Sequence, residues 1–236
     1  YEEFLDFHRQ YYHPSNSYIF LYGNMDMEKK LAFIDEHYLS HFDYLDVDSV
    51  IQEQKAFGAC QDVTLEYPVA ENEGEEDNTY LSYNMVVGNA ADSQMAMAFE
   101  VLDYALLSAP GAPLKQALLD VKAGKDVYGS YDDGILQPYF TVIAKGSNPD
   151  RKEEFVSVIR QVLGDIVKNG IDKKAVEAGI NYFEFRYREA DFSSYPKGLM
   201  YSLDILGDWL YEKGNPFAQV QQLTVFEKLK KAVNEG

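Results

Sequence analysis

The sequence predicts an α+β fold: an antiparallel or mixed sheet with helices packed on one face. Strand-like and helix-like segments follow one another as β, β, α, α, β, β, α, α, α along the second three-quarters of the chain. That order fits neither the regular alternation of a doubly wound sheet nor a helical bundle, and hairpin-connected strands followed by helices imply a two-layer structure. Asp26, Asp92 and Asp172 stand where N-caps are favoured, and Gly124 and Asn169-Gly170 where helices stop. With 46% hydrophobic and 14% aromatic residues in 236, the chain has the material for a packed core and is too aromatic for disorder.

The chain opens in a polar-aromatic helical run that ends at His13-Pro14, because proline disfavours the α conformation in the residue before it and has no amide to donate. Ser17 to Tyr22 reads as a buried strand, closed by Gly23-Asn24. Asp26 is placed to cap a helix running to about Leu39. One strand and two helices do not bury a core. Residues 1–46 are therefore expected to be the closing strand and helices of a preceding domain, in a piece of a longer polypeptide. Residues 47–60, polar and without periodic apolar positions, are a connector. Residues 61–236 are expected to form a second domain.

In that domain Asp62 to Tyr67 alternates polar and apolar side chains as a half-buried strand does, and Pro68 ends it. Glu71 to Asp77 is an acidic, solvated loop, and Thr79 to Val87 is the next strand. Asp92 caps a helix with apolar positions at Met95, Phe99, Leu102 and Leu106, ending near Ser108. After Ala109-Pro110-Gly111-Ala112-Pro113, a short helix from Leu114 to Val121 is expected to stop at Gly124. Val127 to Tyr131 and Leu136 to Ala144 are strands around the turn Asp132-Asp133-Gly134. Arg151 to Lys168 is amphipathic and ends at Asn169-Gly170. Asp172 opens a helix through Glu189, and Pro196 precedes one more, with Leu199, Leu203, Leu206 and Leu210.

Charge and composition exclude several functions. With 39 acidic against 21 basic residues, a net charge of -18 repels a phosphate backbone, so no nucleic-acid partner is expected. No run reaches the ~20 apolar residues of a spanning helix, so no membrane partner is expected. Cys60, the single cysteine, rules out an intrachain disulfide and suits a reducing compartment. His37 and His41 stand four apart, a spacing that places two zinc ligands on one helix face. Tyr38 and Ser40 occupy the positions where a glutamate base would stand, so exposed surface histidines are the expected reading. No nucleophile elbow or phosphate loop is present, and Asp132-Asp133 lies in a turn, where Asp serves local hydrogen bonding. No catalytic residue and no metal ligand is assigned.

Four blocks, in order, are Tyr11 to Asp26; Ala109 to Leu119; Gly134 to Phe140 with Lys145-Gly146; and Phe185-Arg186-Tyr187-Arg188-Glu189 followed by Ser194 to Leu199. Together they resemble the presequence-protease branch of the pitrilysin and insulin-degrading enzyme family of zinc metallopeptidases. The resemblance implies a long chain in two halves, each of two related α+β domains, enclosing a chamber where unstructured peptides are cut. It implies zinc in the first domain of the full-length protein, at an HxxEH motif that this chain lacks. Residues 1–46 would complete that domain and residues 61–236 would form the second, non-catalytic one, inactive alone. The implied partners are the remaining domains and the peptide. The implied compartment is a bacterial cytoplasm, with an organelle matrix as the other setting. In the insulin-degrading relatives a strand in the place of Val127, Tyr128, Gly129 and Ser130 pairs with the substrate, and backbone pairing at a strand edge explains how. Gly129 would then ease close approach of the peptide; a bulge or a packing glycine is the other reading. A stand-alone peptide-binding or assembly module without protease activity is the alternative function.

Overall fold

The computed structural model describes residues 1–72, 74–190, 192–211 and 215–235. Strands β1 (Thr79–Val86), β2 (Asp126–Asp132) and β3 (Tyr139–Ser147) form an antiparallel sheet in the order β1-β3-β2. Because side chains alternate along a strand, the register sorts every residue onto one of two faces. Leu81, Ala144 and Val127 align across the sheet, then Tyr83, Val142 and Gly129, then Met85, Phe140 and Tyr131. This face is covered by helices.

Helix α3 (Ser93–Asp103) starts at Asp92, whose carboxylate accepts the Met95 N–H at 2.9 Å, and continues through a π-helical turn at Tyr104–Ser108. With α4 (Pro113–Asp120) and α5 (Lys152–Asn169) it forms the layer over the sheet. There Leu106, Leu107, Leu114, Leu118, Phe155 and Ile159 close on Leu81, Val127, Phe140 and Val142. A second core lies on the other side of α3. Met97, Val101 and Ala105 pack there against Val176 and Ile180 of α6 (Lys173–Glu189) and Val225, Phe226 and Leu229 of α8 (Leu223–Glu235). The wider π turn explains how Ala105, Leu106 and Leu107 are all buried, serving two cores from consecutive positions. Helices α1 (Glu2–Tyr11) and α2 (Met27–His37) bury no residue completely, and α7 (Lys197–Tyr211) buries Ile205 and Asp208.

The α+β class, the caps at Asp26, Asp92 and Asp172, and the helix stop at Gly170 (φ 86°) agree with the sequence reading. Four expectations need correction, and two features of the C-terminal helices were not read from the sequence. Ser17 to Tyr22 is in neither helix nor sheet, Tyr18, Ile19 and Tyr22 are exposed, and the Tyr18 and Tyr22 rings rest on Trp209 and Tyr201 of α7. Asp62 to Tyr67 is not a strand either. Val63 and Leu65 face solvent, and the segment is tied down at its ends, by an Asp62–Lys152 ion pair and a hydrogen bond from the Tyr67 hydroxyl to the Asn78 carbonyl. Strand β3 begins at Tyr139 because Pro138 has no amide for the ladder. Helix α4 ends at Asp120, and Lys122 (φ 55°), not Gly124, takes the left-handed conformation after it. A Cβ at Gly124 would instead come 3.2 Å from Ala144 Cβ, so that glycine permits close approach to β3. On α7 the leucine stripe faces outward at Leu199, Leu203 and Leu210. Helix α8 was not anticipated, although Phe226 and Leu229 with Val225 and Val233 carry helical spacing. In the acidic loop Glu71, Gly74, Glu75 and Glu76 are exposed, while Glu73 lies outside the described residues.

Phe155 is 1% exposed at the centre of the sheet-facing core. Phe155→Ala is expected to cost about 3–5 kcal/mol of unfolding free energy in chemical denaturation.

Candidate functional site

Among the described residues the second face of the sheet has no helix layer. It carries the rows Tyr80/Lys145/Asp126, Ser82/Ile143/Tyr128, Asn84/Thr141/Ser130 and Val86/Tyr139/Asp132. Tyr80, Val86 and Tyr128 are exposed, the Lys145 ammonium stands 5.8 Å from the centre of the Tyr80 ring, and Thr141 donates to Asn84 Oδ1 at 2.8 Å. Strand β2 has a strand partner on one side only. Such an edge is a template for another extended chain unless something blunts it. At its start the Asp126 carboxylate does so, accepting the Val127 N–H at 2.8 Å while pairing with Lys115 of α4 at 3.2 Å.

The four residues of the sequence-predicted site divide between the two faces. Val127 points into the core and is fully buried, whereas Tyr128 and Ser130 lie on the open face. Gly129 points inward. A Cβ there would overlap Asp103 Oδ1 and stand 2.5 Å from Leu107 Cδ1, so the missing side chain lets α3 lie directly on β2. This gives Gly129 a packing reason on the side of the strand away from the open face.

Sequence reasoning missed the carboxylates around that contact. Asp103 Oδ2 accepts from the Ser108 hydroxyl at 3.2 Å, while Oδ1 is buried without a hydrogen-bond partner, and burial raises the Asp103 pKa. One turn earlier, Glu100 is pushed up to about 7, by burial first and then by the charges of Asp133 and Asp103, with Arg186 opposing. Asp204 on α7 is pushed up to about 6 by burial, Asp133 and Asp208. The turn joining β2 to β3 sits among them. Its Asp132 accepts the Gly134 N–H at 3.1 Å and the Tyr139 hydroxyl at 3.0 Å. The readable signal was Glu100 and Asp103, two acids three apart in a helix otherwise apolar after Gln94.

His37 and His41 do not share a helix. The chain leaves α2 at Tyr38 (φ -136°, ψ -66°), and His41 falls in a separate 3-10 turn, Leu39–His41. Among the described residues no three His, Cys, Asp or Glu side chains converge in a way that could hold a metal ion. Also among the described residues, no helix is long and apolar enough to cross a membrane.

The Glu100 shift has a definite sign. A carboxyl whose pKa rises on folding favours the folded state least when it must ionise there, so stability present below the unfolded pKa near 4.5 is lost as pH rises through about 7. Glu100→Gln is expected to flatten the fall in stability over that window, measured as urea midpoints at several pH values; an unchanged pH profile would show Glu100 to be solvated.

A family profile described as the Peptidase M16 inactive domain matches residues 1–183. Protein HypA of Clostridium perfringens (strain 13 / Type A) is 47% identical over 236 residues, covering 100% of this chain and 24% of that protein. Presequence protease 1, chloroplastic/mitochondrial, of Arabidopsis thaliana is 32% identical over 239 residues, covering 100% of this chain and 22% of that protein. The mitochondrial presequence protease of Xenopus laevis is 27% identical over 220 residues, covering 91% and 21%. The chain thus spans no more than about a quarter of the length of these relatives. With the α+β layers described above, the match identifies this chain as a member of the M16 metallopeptidase family, carrying its inactive peptidase domain.

Proposed function

We propose that this chain is a non-catalytic, chamber-forming part of a larger zinc metallopeptidase that degrades unstructured peptides, and that β2 holds the substrate at Val127, Tyr128, Gly129 and Ser130. The observation that carries the reading is the single-sided pairing of β2 beside a sheet face without helices. An extended peptide added to that edge would hydrogen-bond through its backbone, largely independent of sequence, and place alternate side chains beside Tyr128 and Ser130. A folded protein holds its strands within its own sheets and blunts their edges, so an unstructured peptide is the freer source of an extended partner. Selection by flexibility follows from the geometry of pairing.

Exposed apolar side chains support a role inside a larger assembly. Phe4, Phe7, Leu31 and Phe33 on α1 and α2, and Leu199, Leu203 and Leu210 on α7, are too many and too large for a surface that meets only water. In this reading residues 1–46 belong to a preceding domain, 47–60 connect, and 61–236 form the inactive domain. The zinc and the water it activates lie in the preceding domain, and no step of hydrolysis is assigned to residues of this chain. The names of the relatives place presequence proteases in mitochondria and chloroplasts, and HypA in a bacterium. A bacterial cytoplasm or an organelle matrix is the proposed setting.

Tyr128→Ala tests the edge without touching the packing at Gly129. In the full-length protein, with a fluorogenic unstructured peptide, it is expected to raise KM by about three- to tenfold, the scale of one truncated contact residue. Bound zinc and thermal stability should not change. An unaltered KM would count against β2 as the substrate-holding strand. Binding at this edge with no cleavage by the full-length protein would favour the stand-alone module.

A further inference from the structure

We infer that the face of α7 formed by Gly198, Tyr201, Ile205 and Trp209 is a docking rail for residues 18–22 of the same chain, and that Gly198 is the socket fixing their position. These four residues follow three- and four-residue spacing and share one side of the helix. The Tyr22 ring lies on the Gly198 backbone, where a Cβ would overlap its Cδ1 and come 3.2 Å from Cγ and Cε1. Tyr22 also packs on Tyr201 with ring centres 5.9 Å apart, and Tyr18 packs on Trp209 at 4.6 Å. The segment therefore runs antiparallel to the helix. From Tyr201 to Trp209 the helix rises ~12 Å, and four extended residues span ~13 Å, so both rings meet their partners in one extended stretch.

The contact has a structural consequence. The chain between the helices of residues 1–46 and strand β1 contains no helix or strand among the described residues 42–72 and 74–78. Its anchors include a reciprocal pair of hydrogen bonds between Gln54 and Gln137 (2.6 and 3.1 Å), one from Asn89 to Glu53 (3.0 Å) and the Tyr67 ring against Tyr80. Seating Tyr22 on Gly198 sets the position of residues 18–22, and of the helices that flank them in sequence, against α7. Tyr18, Tyr22 and Trp209 are each more than a third exposed, so the rail is a surface contact that can open without disrupting either core. The inference is independent of what β2 binds.

Trp209 is the chain's single tryptophan, so its emission reports its contact with Tyr18 and, through residues 18–22, the seating of Tyr22. Gly198→Ala improves helix propensity in α7 while displacing Tyr22. In the 236-residue chain it should move emission to longer wavelength and increase quenching by acrylamide, and Tyr22→Ala should do the same. Gly207→Ala makes the same change on the same helix, where a Cβ meets nothing within 4 Å, and should leave emission as in the parent. The inference is overturned if Gly198→Ala matches Gly207→Ala with far-UV circular dichroism unchanged. Should Gly198→Ala lose helix, Tyr22→Ala decides alone: altered emission supports the rail, and unaltered emission overturns it.

Discussion

The two-sided burial of α3 is the constraint on which the structure depends. One side of the helix and its π turn seals the sheet through Leu106 and Leu107, and the other receives α6 and α8 through Met97, Val101 and Ala105. Each core alone is small; sharing one helix makes them a single cooperative body. Close approach is enforced on both sides by glycine. Gly129 admits Asp103 and Leu107 against β2, and a Cβ at Gly179 would come 3.1 Å from Tyr104 and 3.2 Å from Val101. The same helix carries Glu100 and Asp103 into poorly solvated positions, a cost accepted at the junction of sheet, β2–β3 turn and α7.

Because the helices take one face of the sheet, the proposed recognition falls to the other. Its rows mix Tyr80, Tyr128 and Tyr139 with Ser82, Asn84 and Ser130, a surface that offers aromatic contact and hydrogen bonding together. Strand β2 lies at its margin, with the acidic turn at one end and the Lys115–Asp126 pair at the other. The match to an inactive peptidase domain supports the proposed division of labour: this chain shapes and holds, and chemistry is left to another part of the protein.

Much of this was legible in the sequence because local chemistry determined it. Asp26, Asp92 and Asp172 each accept an amide in the first turn of their helices, and Asp132 closes its turn through Gly134. Strand assignments failed where pairing decides the outcome. Asp62 to Tyr67 alternates correctly yet has no neighbour, and Ser17 to Tyr22 is apolar yet lies along a helix. At the site, β2 was located within a residue at each end, but the inward direction of Gly129 depends on its register with Val142 and on the approach of α3, neither of which is a local property. Glu100 and Asp103 were passed over because the periodicity of α3 draws attention to its apolar positions.

The most direct test of the account is zinc content together with cleavage of a fluorogenic unstructured peptide, measured on this 236-residue chain beside the full-length protein. Stoichiometric zinc and cleavage in the full-length protein, with neither in this chain, is the predicted result. Zinc binding and cleavage by this chain alone would contradict it.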